Sequence, residues 1–116
     1  METKDKMMKK ILMSALALGA ITTGSYAACA GTVCGQVDVQ RLYITDTGTI
    51  YIGTSGVETA LNCTAPGDQY LSIRDADVGK NALYSMLLTA QTTKRKIDIG
   101  IEAGSADCHV LAIVVN

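Results

Sequence analysis

The sequence predicts a small β-rich α+β domain behind an export signal, with one helix set among short strands. Three observations predict it. Ile97-Asp98-Ile99-Gly100-Ile101-Glu102 alternates strictly, the period of a strand with one buried and one wet face. Val78, Ala82, Leu83, Met86, Leu87 and Ala90 fall on a single apolar stripe at the helical period. Cys29, Cys34, Cys63 and Cys108 make an even cysteine count in a short chain, which reads as two disulfides.

The N-terminus reads as a signal peptide over residues 1–27. Lys4, Lys6, Lys9 and Lys10 form a basic n-region, and Ile11 to Ile21 is an apolar run broken only by Ser14 and Gly19. Small residues at Ser25, Ala27 and Ala28 then offer cleavage sites. The run is too short to cross a bilayer, which takes roughly 20 apolar residues, so no membrane span is expected. Leu12, Leu16, Leu18 and Ile21 have no opposing charged face, which argues against an amphipathic cytosolic helix. Lipid attachment at Cys29 is disfavoured, because Tyr26 stands where a lipoprotein signal wants an aliphatic residue. The expected location is the periplasm or the exterior.

From Ala28 to Asn116 the chain reads as one domain, without repeat or linker. Residues 37–44 are rich in β-branched and aromatic types and predict a strand. Thr45-Asp46-Thr47-Gly48 is a turn cluster in which Gly48 can take positive φ, and residues 49–54 predict the second strand of a hairpin. Glu58 to Cys63 fits either a short strand or a helical turn. Ala65-Pro66-Gly67-Asp68 is a loop, and residues 70–74 predict a brief strand. The helix is expected over about residues 78–92, with Asp75 and Asp77 as cap and favourable charge at its start. Lys94, Arg95 and Lys96 at its far end answer its exposed carbonyls. After the alternating strand, Gly104-Ser105-Ala106-Asp107 turns the chain into residues 108–115, apolar on both faces. Val110, Ala112 and Val114 are expected on one face, Leu111, Ile113 and Val115 on the other. Such a strand is either central or covered by a second chain.

A helix between the third and fourth of five strands suggests a five-stranded OB-like barrel; a small open α+β sheet with the helix across it is the alternative. Of three possible disulfide pairings, Cys29–Cys34 with Cys63–Cys108 is favoured: one small loop and one bridge between distant strands. With neither Trp nor Phe to enlarge the core, two bridges at roughly 2–4 kcal/mol each compensate for thin packing.

Several functions are disfavoured. Six basic residues against nine acidic ones give residues 28–116 a net charge of −3, the wrong sign for a nucleic-acid binder. Scattered cysteines and a single histidine, His109, offer no metal site, and there is no Cys-x-x-Cys pair. His109 follows Cys108 in a strand, where neighbours point to opposite faces, and reads as a surface or edge residue. Asp75 and Asp77 suit a helix cap better than a glycosidase pair. Gly53-Thr54-Ser55-Gly56 lacks the lysine of a phosphate loop. Neither an enzyme nor a cofactor is expected. Tyr43 and Tyr51, on adjacent hairpin strands, are the candidate ligand face, since tyrosine offers a stacking ring and a hydroxyl.

The second half carries Cys63, a short strand, Asn81-Ala82-Leu83-Tyr84-Ser85-Met86-Leu87-Leu88-Thr89-Ala90, Lys96-Ile97-Asp98-Ile99, then Cys108 and a last strand. By pattern and order this resembles the B subunits of AB5-type toxins of the subtilase cytotoxin and typhoid toxin group, and related short exported bacterial proteins. The resemblance implies an OB fold, a pentameric homo-oligomer and sialoglycan binding. It also implies a sugar-contacting serine before the first strand, and Cys34 occupies that position. The aromatic that follows the helix in those proteins has no counterpart in Lys94 to Lys96. The alternative function is a protein-interaction module, an inhibitor or assembly factor, using the apolar last strand.

Overall fold

The computed structural model describes residues 28–116; the expected signal peptide, residues 1–27, lies outside the described residues. In chain order the elements are β1 Ala28–Ala30, β2 Val33–Val37, β3 Val39–Ile44, β4 Ile50–Thr54, β5 Leu71–Ile73, α1 Lys80–Thr93, β6 Ile97–Ile101 and β7 Val110–Val115. They make a β-rich domain of two antiparallel sheets, ordered β1-β2-β6-β7 and β3-β4-β5, with one α-helix among the described residues. A parallel bridge joins Ser72 of β5 to His109, just ahead of β7, with the Ser72 N–H donating to the Cys108 carbonyl at 3.1 Å.

Among the described residues seven strands stand where five were expected, because the first predicted strand is part of a longer run broken in two and β1 is added at the edge. Gln36 takes a left-handed φ of 53° where the β2–β6 register shifts. Its N–H donates to Asp98 Oδ1 at 2.8 Å. Asp38 then leaves both ladders and bonds Ser55 instead, accepting from its N–H at 3.1 Å and donating to its Oγ at 2.9 Å. The run from Val33 to Ile44 thus pairs with β6 in its first half and with β4 in its second. The stretch from Glu58 resolves to its helical alternative, a 3₁₀ turn over Glu58–Ala60. Gly48, at φ 89°, closes the hairpin turn as expected, donating to the Thr45 carbonyl. A Cβ there would run into Asp75.

Both sheets turn aliphatic residues inward. Ile50, Ile52, Leu71, Ile73, Ile97 and Ile99 are all at most 1% exposed, each worth about 1.5–3 kcal/mol by burial. The helix packs on β7 and β3 and buries only Leu87 and Ala90 fully. Val78 lies outside it and is wholly exposed, since the helix starts at Lys80.

Two further expectations need correction. Asp75 and Asp77 are not helix caps: Gly79 is the N-cap, with no side-chain bond to the helix. Asp75 instead pairs with Lys80 at 2.7 Å, and Asp77 accepts the Arg74 N–H at 2.9 Å. The last strand does not keep a clean two-residue period, because a register shift opposite Gly100 and Ile101 inserts Leu111. Val110 and Ile113 are buried, whereas Leu111, Ala112 and Val114 are exposed. At the helix C-terminus, Lys94 takes the left-handed cap conformation at φ 55°, and Lys96 reaches Asp38 at 2.7 Å.

The disulfides are Cys29–Cys34 and Cys63–Cys108, the favoured pairing. No helix among the described residues is long and apolar enough to cross a membrane.

Candidate functional site

On the outer face of the β3-β4-β5 sheet, Tyr43 and Tyr51 occupy directly paired positions of β3 and β4. Their rings stack with centroids 4.9 Å apart and 24° between planes. A third ring, Tyr70, stands edge-on to both, at 5.2 Å from Tyr43 and 6.0 Å from Tyr51. Tyr70 is buried, Tyr51 half-buried, and Tyr43 lies 41% exposed. The cluster is therefore a shelf whose open ring is Tyr43. Burial, then its neighbours Tyr70 and Tyr51, raise the Tyr43 phenol above its ordinary value, with Arg41 opposing. The hydroxyl stays protonated at neutral pH, able to donate as well as accept.

Sequence reasoning found two rings of this shelf and missed Tyr70 and Arg41. Arg41 shares the Tyr43 side of β3, two residues away, and its Nη1 donates to the Tyr70 hydroxyl at 2.9 Å. The Tyr70 ring packs over Gly53, which is paired with Arg41 across the ladder. A Cβ on Gly53 would crowd Arg41 Cβ at 3.3 Å and would meet the Tyr70 ring in ordinary contact at 3.5 Å. A glycine inside a predicted strand is the signal that marks such a close approach. Beyond Tyr70 the face dips into a cleft of about 170 Å³, lined by Gln40, Arg41, Gly53, Thr54, Glu58, Gln69 and Tyr70.

Beside Tyr51 in register lies Ser72, which opens a polar network. Ser72 Oγ donates to the Asp107 carbonyl at 2.7 Å and approaches its carboxylate at 3.1 Å. Arg74 grips that carboxylate with two nitrogens, each at 3.0 Å. His109 is not a free surface residue: its ring sits between Asp77, at 2.8 Å, and Glu102, at 3.2 Å. Neither serine nearby is placed for attack. Ser72 gives its proton to Asp107, and Ser105 Oγ donates to the Glu102 carbonyl while accepting from the His109 backbone N–H. Among the described residues no three His, Cys, Asp or Glu side chains converge to hold a metal.

The Arg74 hydrogen bond, helped by Ser72 and the nearby positive charges, holds the Asp107 carboxyl below its ordinary value against the opposing effect of burial. A carboxyl depressed on folding stabilises the native state above its unfolded pKa, about 3.9, and that contribution is lost as pH falls through the folded value. Asp107→Asn is accordingly expected to lower stability at neutral pH and to flatten its decline below about pH 4. Denaturant midpoints followed against pH check this; parallel curves for the two proteins would refute it.

A larger groove, about 440 Å³, runs between the start of β3 and the end of α1, lined by Asp38, Val39, Gln40, Ala90, Gln91, Lys94 and Arg95. Its carboxylate is already paired with Lys96 and its cations stand in solvent, so the tyrosine face is the better-built site. Compared with known proteins, the chain matches no protein-family model, no curated protein and no solved structure.

Proposed function

We propose that the chain is a non-catalytic, exported binding domain that takes a carbohydrate on the tyrosine shelf. The single observation that carries this is the Tyr43 ring, 41% exposed, stacked on Tyr51 and met at its edge by Tyr70. Sugars present patches of C–H groups flanked by hydroxyls. A fixed aromatic face with donors at its rim suits them and loses little side-chain entropy on binding. Cys34, at the position of the expected sugar-contacting serine, is fully buried in its disulfide, which favours this face over the one the resemblance implies.

The fold behind the proposal is an OB-type barrel. In its favour, the run from Val33 to Ile44 feeds both sheets, and the Ser72–His109 bridge joins their far edges. Counting that run as one strand gives five, with α1 between the third and the fourth, and β1 as an added edge. Export agrees with two disulfides and no free cysteine among the described residues. Self-association is part of the same reading. Val33, Ala112 and Val114 lie on the outer face of the four-stranded sheet, with Val33 47% and Val114 55% exposed. That patch equally suits a protein partner, and light scattering on purified protein separates a stable monomer from a ring.

A glycan array probed with the folded protein tests the central claim. Tyr43→Ala is expected to weaken every positive interaction by about tenfold or more, the loss typical of a central aromatic contact, with the fold intact by circular dichroism. Unchanged binding by this variant would remove the tyrosine shelf from the account.

A further inference from the structure

We infer that the cleft beside Tyr70 is a hydroxyl-binding subsite, in which Glu58 and Arg41 together hold neighbouring hydroxyls of a neutral sugar unit. The inference rests on the sugar-binding reading of the tyrosine shelf and names the class of sugar that shelf selects.

Glu58 is only 5% exposed, yet it is a carboxylate. One of its oxygens is fully engaged: Oε1 accepts from the Thr54 N–H at 2.8 Å and from Thr54 Oγ1 at 2.7 Å. Oε2 has no hydrogen-bond partner among the described residues. No wholly enclosed side-chain polar atom there lacks a partner, so Oε2 is not sealed in, and Glu58 lines the 170 Å³ cleft. A carboxylate oxygen fixed in place by its twin, bare and mostly screened from bulk water, is a strong acceptor waiting for a donor.

Arg41 supplies the opposite chemistry in the same cleft. Only Nη1 is used, by Tyr70, and a guanidinium has five N–H donors in a rigid fork. Gln40 and Gln69 add amides that both donate and accept. A ligand group entering here meets a fixed acceptor and a fixed donor at once. An anion that pairs with Arg41 also meets the Glu58 charge, and a cation that pairs with Glu58 also meets Arg41, so neither gains the full attraction. A pair of hydroxyls satisfies both, since each oxygen donates one proton and accepts another. The volume admits the edge of one ring and not a whole oligosaccharide, at roughly 30 Å³ for each water displaced. Tyr70 is the wall common to cleft and shelf, so a sugar whose hydroxyls enter the cleft lies against the Tyr43 side.

Nuclear magnetic resonance of the full domain reports on both places at once, through the Glu58 side-chain carboxyl carbon and the Tyr43 ring protons. Methyl α-D-mannopyranoside and methyl β-D-galactopyranoside serve as neutral probes, and glucuronic acid as the acidic one. Both signals should move with at least one neutral glycoside, and the Glu58 signal should stay still with glucuronate. Glu58→Gln keeps an acceptor for Thr54 while replacing Oε2 by a donor. It should weaken the neutral glycoside by about tenfold or more, the worth of a hydrogen bond to a charged group, with the fold retained by circular dichroism. Arg41→Lys, which leaves Glu58 untouched, should weaken it as well. If the Tyr43 signal moves and the Glu58 signal does not, the subsite is refuted and the sugar shelf stands. Wild-type affinity in Glu58→Gln, or tighter binding of glucuronate than of either neutral glycoside, refutes the subsite too. If neither signal responds to any of the three sugars, the shelf reading falls and takes the subsite with it.

Discussion

Replacing Cys63 and Cys108 together with serine should lower the unfolding free energy by about 4 kcal/mol, the larger loss of the two disulfide pairs. The bridge joins residues 45 apart in sequence, so in the unfolded state it closes a long loop. A longer loop restrains more conformations, and the entropy removed grows with the logarithm of its length. The Cys29–Cys34 bridge spans only five residues and by the same relation contributes about 2 kcal/mol. The two serine pairs therefore form an internal comparison. Urea denaturation of each should place the Cys63–Cys108 variant well below the other, with the m-value shifted by a more expanded unfolded chain. Equal losses, or the reverse order, would mean that native-state contacts of the sulfurs outweigh chain entropy. Cys108 is fully buried, so part of its cost on substitution is a polar hydroxyl placed in the core.

Leu87→Ala should cost about 3 kcal/mol, within the range for removing a buried leucine side chain. The helix offers a single large, fully buried side chain, and this is it; Ala90 is the only other residue it buries completely. Leu83, Tyr84 and Met86 pack against the core from half-buried positions and lose less when shortened. The variant should retain its strands while the helix undocks first, seen as faster amide exchange over Lys80–Thr93 than over β6. A loss below about 1 kcal/mol would be ordinary surface behaviour and would show that the helix is held by its ends rather than by its middle.

The helix and the β6 strand were legible because their periods are long and unbroken. Ile97, Ile99 and Ile101 are all buried, as strict alternation requires, and Leu87 and Ala90 at the far end of the predicted stripe are buried too, whereas Val78 and Ala82 at its start are exposed. The disulfide pairing followed from loop size. What the residues did not reveal were places where tertiary bonds override local preference. Asp77 was expected to cap the helix, but His109 and the Arg74 N–H, distant or backbone partners, hold its carboxylate instead. The break at Asp38 depends on a serine 17 residues later, and the inserted Leu111 on the register of β6. At the candidate site, Tyr43 and Tyr51 were visible as neighbours on a hairpin. Tyr70 and Glu58 were not, since they reach the site from loop and turn residues whose positions no periodicity encodes.

A single length of backbone, from Val33 to Ile44, is stitched to a partner strand in each of the two layers. Parting the two layers would bend that stretch at Asp38 and break its two bonds to Ser55, while the ladder of each layer stays whole. The three-residue β1 and the turns, where little apolar surface is at stake, open most readily short of complete unfolding. A load applied at the tyrosine shelf travels along that shared stretch directly into the opposite layer.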